Sequence, residues 1–559
     1  MSNTNNLIEI ANEMRQLMLT RASTHTDFHL SSGLGIVELS IALDEIFDAD
    51  KNKILFDVGH QRYPFLMLQE KRKGGQLQFP ETNDYDMFCY PGFAGLAAAS
   101  ALGYAIAYPK NKVIAVIGDG ALSCGETYEA LNCIGELQAN ILIILNQNGM
   151  SITKNVGALS DGKTVELFAK SLRLDYKGIC DGHDIDGLIK VLRQLKHQKG
   201  PLVLHVQTVK GRGYCWAEKN PTKFHMSFYP FDPETGLYEP NQDAVKRLFI
   251  EAMNKLETKG ISYIEEYHDV YFTFPAMPTI NRIQEAYPKN VLDTGISEQC
   301  CMTLSTTLAG LNKRVIMLIG AVFLTRCYSQ LYDLCHQKSP LTVILNLTGV
   351  THYGSTHQAV YTVGLLRPIP HATILYPVNL IEFEQMLDFA FRFNQPVFLQ
   401  IPKENISMKN TVLSYGKGVL LKKGDRITIL VIGGMFHIAF YLAGRYDEVE
   451  IVNPRFLKPF DYELLKKSIK KTGRLLIIEE GFRKGGLGEE ILSFLKETSI
   501  TCKTKLIAAA DIFVSCHHYN EVCDEYGLTV SACEKAIQTL LRKTVQLSGL
   551  IEEKKEKRA

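Results

Sequence analysis

The chain has 559 residues, 46% of them hydrophobic and 22% charged, which is too long for one ordinary domain and too apolar for a disordered one. Its 61 basic and 60 acidic residues leave a net charge of +1, so no global field favours nucleic acid or an anionic membrane. The 13 cysteines are odd in number and scattered from Cys89 to Cys533 without a C-x-x-C pair, which argues against a disulfide scaffold and for reduced thiols in a cytoplasmic setting.

In chain order, a polar start leads into an amphipathic helix and not into a signal peptide. The first strong strand signal is VIAVIGDG at 113–120, followed by a helix-compatible segment from Glu126 to Glu136 and a second apolar run, ILIILNQNG, at 141–149. The pattern returns in RVIMLIGAV (314–322) and LTVILNLTG (341–349). It returns again in ITILVIGG (427–434), VEIVNPR (449–455) and RLLIIEEG (474–481). Continuous apolar runs of this length suit strands buried on both faces, as parallel sheets require. Alternation with helices predicts an α/β fold of three successive domains with mostly parallel sheets. The Pro-, Gly- and acid-rich stretch 229–243 and the aperiodic stretch 401–418 read as linkers, which puts the domains at 1–240, 245–405 and 415–550. No apolar run is long enough to span a membrane, and the tail IEEKKEKRA reads as solvated.

Asp119 follows the strand signal Val113–Ile117, and Asn148 lies 29 positions later, just past Ile141–Leu145. If these strands are parallel neighbours joined by the intervening helix, both polar residues emerge at the same carboxyl edge, where open α/β sheets bind ligands. A carboxylate oxygen and an amide oxygen beside a diphosphate suit Mg²⁺, which prefers few protein oxygens plus phosphates. Gly118 and Gly120 permit the close backbone approach a diphosphate needs. An isolated G-D-G is usually an ordinary turn. Followed at this distance by N-x-N-x-M-S-I, it matches the thiamine-diphosphate motif.

With these residues the chain resembles the thiamine-diphosphate enzymes of the transketolase superfamily, most closely the 1-deoxy-D-xylulose-5-phosphate synthases. The similarity runs through HLSSGLGIVEL (29–39), FDVGHQRYP (56–64), GDGALSCGETYEALN (118–132), DGHD (181–184) and KGRGYCWAEKNPTKFH (210–225). It continues in GISEQ (295–299), FLTRCYSQ (323–330), THQ (356–358) and RFLKPFD (455–461). The resemblance implies a diphosphate-binding, a pyrimidine-binding and a transketolase C-terminal-like domain, in that order. It implies thiamine diphosphate and Mg²⁺ as cofactors, the metal held by Asp119, Asn148 and the carbonyl of Met150. His60, Gly118, Gly120, Ala121, Tyr214, Phe323 and Arg326 would join them around the cofactor. Glu298 would hydrogen-bond its aminopyrimidine and promote the tautomer that activates it. His29, His225 and His357 would stand near the reactive carbon.

The activity implied is decarboxylation of pyruvate and transfer of the two-carbon unit to an aldehyde, by a homodimer in the cytoplasm. A transketolase-type transfer between sugars and a non-catalytic role stand as alternatives. Departures gather at the acceptor end. Leu347 stands in place of an arginine, Tyr353 in place of an aspartate, and Lys403-Glu404 in place of Arg-Gly. Pro91-Gly92-Phe93 replaces a Gly-His-Ser segment, and a long insertion after NVGAL is absent. Arg62 and His352 are candidates for compensating positive charge. Lysine does not replace the bidentate arginine fork, so the second substrate is expected to differ. Whether each site forms within one chain or across two stays open.

Overall fold

The computed structural model describes residues 4–24, 28–77, 93–226, 230–238, 244–276, 280–407, 411–514 and 518–542. The chain separates into two compact units, residues 1–344 and 345–559.

In the first unit, β1 (Lys53–Asp57), β2 (Val113–Gly118), β3 (Ile141–Gln147), β4 (Asp175–Asp181) and β5 (Leu202–Gln207) form a parallel sheet in the order β1-β2-β3-β5-β4. Val113, Ala115 and Ile117 of β2 and Ile141, Ile143 and Leu145 of β3 face one core, which the helices Ala97–Ala107 and Gly125–Leu137 cover. The residues between them, Ile114, Val116, Leu142 and Ile144, face a second core under the helices Val37–Ile46 and Ile185–Leu195. Both faces are dry, which is why these strands read as unbroken apolar runs. The expected β2–helix–β3 unit is present, with Gly118 opposite Asn146 in register. Further along, β6 (Val270–Phe274), β7 (Val291–Asp293) and β8 (Arg314–Gly320) are parallel in the order β8-β6-β7.

The division between the units falls in β9 (Leu341–Asn346). The second unit continues with β10 (Thr373–Leu375), β11 (Val397–Gln400), β12 (Val419–Lys422), β13 (Ile427–Ile432) and β14 (Val449–Asn453). β15 (Phe456–Lys458), β16 (Arg474–Phe482) and β17 (Lys503–Ala509) complete it. β10 lies between β11 and an antiparallel β15, and β12-β14-β13-β16-β17 form a sheet in which only β12 runs antiparallel.

The described residues of both stretches read as linkers are packed. Phe231 is 3% exposed and meets Tyr214 and Tyr238 at a tilt and Phe224 edge-on, and Asp232 N donates to Leu237 O at 2.9 Å. Tyr415 lies against Phe389, Phe393 and Phe456. Aromatic anchoring overrides the loop-like composition in both places. Every described cysteine is free, and among the described residues no helix is long and apolar enough to cross a membrane.

Candidate active site

β2 and β3 end together, and their continuations meet. Asp119 Oδ2 accepts from Asn148 N (2.9 Å) and Gly149 N (2.6 Å), and Oδ1 accepts from Gly120 N (3.0 Å). The Asn148 side-chain oxygen accepts from Met150 N at 3.0 Å. Burial pushes the Asp119 carboxyl up, and the amide donors with Asn155 oppose that shift. Gly120 is required by close packing, because a Cβ there would stand 2.7 Å from Ser151 Cβ. Ala121 opens the short turn Ala121–Ser123, and Gly118 packs on Gln61, where a Cβ would meet Nε2 at 3.1 Å. Among the described residues no three His, Cys, Asp or Glu side chains converge on a metal. The Asp119 carboxylate and the Asn148 amide oxygen do lie at one sheet edge here, hard oxygen donors of the kind that suit Mg²⁺ completed by phosphate oxygens.

Three imidazoles converge beyond this edge. His29 and His60 stack with centroids 4.3 Å apart, and His225 meets them edge-on at 5.1 and 5.8 Å. Ser31 brings His29 and His225 together. Its N and Oγ donate to Phe224 O (3.0 and 2.8 Å), while its carbonyl accepts from Gly211 N (2.9 Å). Burial, with Lys210 and the two other histidines nearby, pushes the His225 pKa well below the ordinary value, which disfavours the charged ring. Its Nδ1 is shielded from solvent without a hydrogen-bond partner, and so is the Tyr214 hydroxyl. Two orphaned polar atoms in one region are what a cofactor-binding surface leaves when only protein groups are counted.

Residues around the start of the helix Glu298–Gly310 and the segment Ala321–Cys327 lie against the first sheet's loops within the same unit of the same chain. Glu298 starts the helix Glu298–Gly310 and is 3% exposed. Its Oε2 is 3.2 Å from Arg326 Nε. Burial raises the Glu298 pKa and the guanidinium opposes that rise. Arg326 Nη1 donates to Ala94 O (2.7 Å), Ile296 N donates to Ser123 Oγ (3.1 Å), and Phe323 meets Phe93 edge-on at 5.9 Å. Phe93 occupies the third position of the Gly-His-Ser departure; Pro91 and Gly92 lie outside the described residues.

His357 belongs to the second unit. There its Nδ1 is 2.9 Å from Thr356 Oγ1, and burial pushes its pKa down to about 4. In the same unit Lys403 Nζ donates to Thr348 O (3.0 Å) and Val350 O (2.7 Å) and pairs with Glu480. Glu404 accepts from Phe436 N, His437 N and His437 Nδ1, capping the helix Phe436–Arg445. Leu347 has φ +51, and Tyr353 lies 4.5 Å from His352, centroid to centroid.

Sequence reasoning missed Asp57. This carboxylate is 1% exposed and accepts from Gly95 N (2.9 and 3.0 Å) and Ala97 N (2.9 Å), and burial pushes its pKa up to about 6. It fixes the backbone next to Ala94, the anchor of Arg326. An acid ending the apolar run ILF was the available signal.

Three family matches along the chain define a thiamine-diphosphate-dependent transferase of the transketolase type. The 1-deoxy-D-xylulose-5-phosphate synthase family model matches residues 1–165 and 161–208, the transketolase pyrimidine-binding domain 255–409, and the transketolase C-terminal domain 416–533. The 1-deoxy-D-xylulose-5-phosphate synthase of Desulfotalea psychrophila is 32% identical over 96% of this chain and 94% of its own. That of Clostridium perfringens is 33% identical over 90% of this chain and 92% of its own. A solved transketolase from Campylobacter jejuni aligns over 96% of this chain and 100% of its own, at 16% identity and a TM-score of 0.43. The chain belongs to the 1-deoxy-D-xylulose-5-phosphate synthase family. The relatives favour neither a transfer between sugars nor a non-catalytic role.

Proposed function

We propose that this enzyme decarboxylates pyruvate and joins the two-carbon unit to an aldehyde, glyceraldehyde 3-phosphate or a different acceptor, with Mg²⁺ as the diphosphate's counter-ion. The observation that carries this reading is Glu298, buried and paired with Arg326 in the same unit as Asp119, Asn148 and the three imidazoles. Thiamine diphosphate, when bound, supplies a carbon nucleophile that takes up the electron pair left by departing CO₂. Asp119, Asn148 and the Met150 carbonyl would hold the metal, with Gly118, Gly120 and Ala121 leaving room for the diphosphate. Glu298 would hold or release a proton at the aminopyrimidine ring nitrogen, and Phe323 would cover its face. His225 can accept a proton at Nδ1, His29 and His60 flank it, and Tyr214 would offer its hydroxyl to the cofactor.

The acceptor is proposed to depend less on phosphate charge than the family pattern implies. Lys403 is already met by two carbonyls and Glu480, and Leu347 carries no charge. Mass spectrometry of products from pyruvate with phosphorylated and plain aldehydes tests both parts. No CO₂ release with any acceptor would sink the carboligase reading, and a strong preference for the phosphorylated aldehydes would sink the acceptor reading. A homodimer is proposed, as the family resemblance implies. Light scattering of the purified enzyme at the mass of one chain would reject it. A cytoplasmic setting accords with the free cysteines.

A further inference from the structure

The DGHD segment takes no part in the chemistry above, yet its histidine is the midpoint of a chain of polar contacts that ends at the metal loop. Gly182 N donates to Gln207 O (2.7 Å) and His183 N to Asp181 Oδ1 (2.8 Å), which sets the turn after β4 against the end of β5. His183 Nε2 lies 2.9 Å from Val209 N. A backbone N–H can only donate, so Nε2 carries the lone pair and the ring proton resides on Nδ1. That proton faces Glu38 Oε2 at 3.0 Å, and the other Glu38 oxygen is 2.5 Å from Arg15 Nη2. The three side chains are only 9–11% exposed. Arg15 also donates from Nε to Arg212 O at 3.0 Å. The turn 209–213 is therefore held at both ends, by His183 at Val209 and by Arg15 at Arg212. It also seats on Gly35, where a Cβ would stand 3.0 Å from Val209 O.

Between these two holds lies Lys210, 5% exposed, whose Nζ donates to the carbonyl of Ser151, the residue after Met150. Thr208, at the start of the turn, donates to Asn146 Oδ1 (2.5 Å), two residues before Asn148. The turn thus grips the 146–151 segment from both sides of its metal-facing residues.

We propose that His183 is a positioning residue for the metal–diphosphate loop: by accepting from Val209 N it sets the turn whose Lys210 holds Ser151 beside Met150. This rests on the reading of Asp119, Asn148 and Met150 as metal ligands. Only a neutral imidazole, donating on one side and accepting on the other, satisfies Glu38 and Val209 N together.

Asparagine and glutamine separate the two contacts. H183N reaches as far as Nδ1 and keeps the donor to Glu38; H183Q reaches as far as Nε2 and keeps an acceptor for Val209 N. The experiment titrates the full-length wild type and both variants with Mn²⁺ in the presence of thiamine diphosphate. Free Mn²⁺ is read by its paramagnetic resonance, and the fluorescence of Trp216, the chain's sole tryptophan, is followed in parallel. H183N is expected to weaken Mn²⁺ binding about tenfold or more, as loss of a supporting contact around a metal does, while H183Q stays close to wild type. Lys210→Met cuts the chain at its far end and is expected to weaken the metal likewise, which keeps the test decisive if H183N folds poorly. Mn²⁺ affinity unchanged in folded H183N or in K210M, or lost as fully in H183Q as in H183N, would overturn the proposal. A wild type that binds no Mn²⁺ with thiamine diphosphate would instead overturn the metal-site reading, and this inference with it.

Discussion

Glu298 and Arg326 balance two opposed effects: burial disfavours the carboxylate, and the guanidinium 3.2 Å away favours it. Replacing Glu298 by Gln keeps the shape and removes the exchangeable proton. Turnover measured as CO₂ release is expected to fall by about 10²–10⁴-fold in protein that still folds. Removing the guanidinium as Arg326→Gln deletes the effect that lowers the Glu298 pKa. The limb of the kcat/KM pH profile that reports this carboxyl is then expected to move to higher pH, and a profile that stays in place refutes the coupling. Glu298 could be singled out because it sits in a short recognisable segment, I-S-E-Q. Asp57 and His183 were not, since what defines them is contact with backbone N–H groups of Gly95, Ala97 and Val209, none of them adjacent in sequence. Residue type shows that a carboxylate can accept; it does not show which amides will face it.

Helix ends and strand ends carry the second group of consequences. Glu479, in β16, accepts from Leu487 N and Gly488 N at 2.8 Å each, at the start of the helix Leu487–Glu497. Burial nonetheless pushes its pKa up to about 7 from the ordinary 4.5, so the folded state binds this proton more tightly than the unfolded chain. Its contribution to stability is therefore complete below about pH 4.5 and lost as pH rises through about 7. Urea unfolding of Glu479→Gln is expected to show a shallower decline between pH 5 and 8 than the wild type. Its neighbour Glu480 is 4% exposed and depends on Lys403. Lys403→Met leaves that carboxylate without its cation and is expected to cost about 3–5 kcal/mol in the same assay, and K403M/E480Q is expected to recover part of it. The central strands β2, β3, β8, β9, β13, β14 and β16 were legible because double-sided burial writes itself as an apolar run. β4 was not: all its residues are exposed or only partly buried, and its sequence, DYKGICD, has neither a run nor an alternation.

At the scale of the whole chain, the residues proposed to hold both ends of the cofactor, Asp119 and Glu298, lie in the same unit, the larger of the two. Saturating thiamine diphosphate with Mg²⁺ is expected to raise the stability of the folded enzyme by about 2.7 kcal/mol at a hundredfold excess over Kd. Chelation with EDTA is expected to return the melting temperature to that of the cofactor-free protein, and a melt indifferent to both additions would contradict the site. The alternation of apolar runs made the three-domain α/β architecture readable. The packed segments 230–238 and 411–418 were hidden, because their anchoring aromatics stand among turn-forming residues.

Ser31 ties this architecture to the order in which the chain is made. Its hydrogen bonds to Phe224 O span 193 positions, and they are what bring His29 beside His225. At translation rates of about 5–20 residues per second, His29 leaves the ribosome roughly 10–40 s before its partner imidazole exists. Throughout that interval the first turn of the site waits with its donors turned to water. Closing so long a loop places completion of the histidine cluster late in folding, so a chain truncated before residue 224 carries His29 and no site.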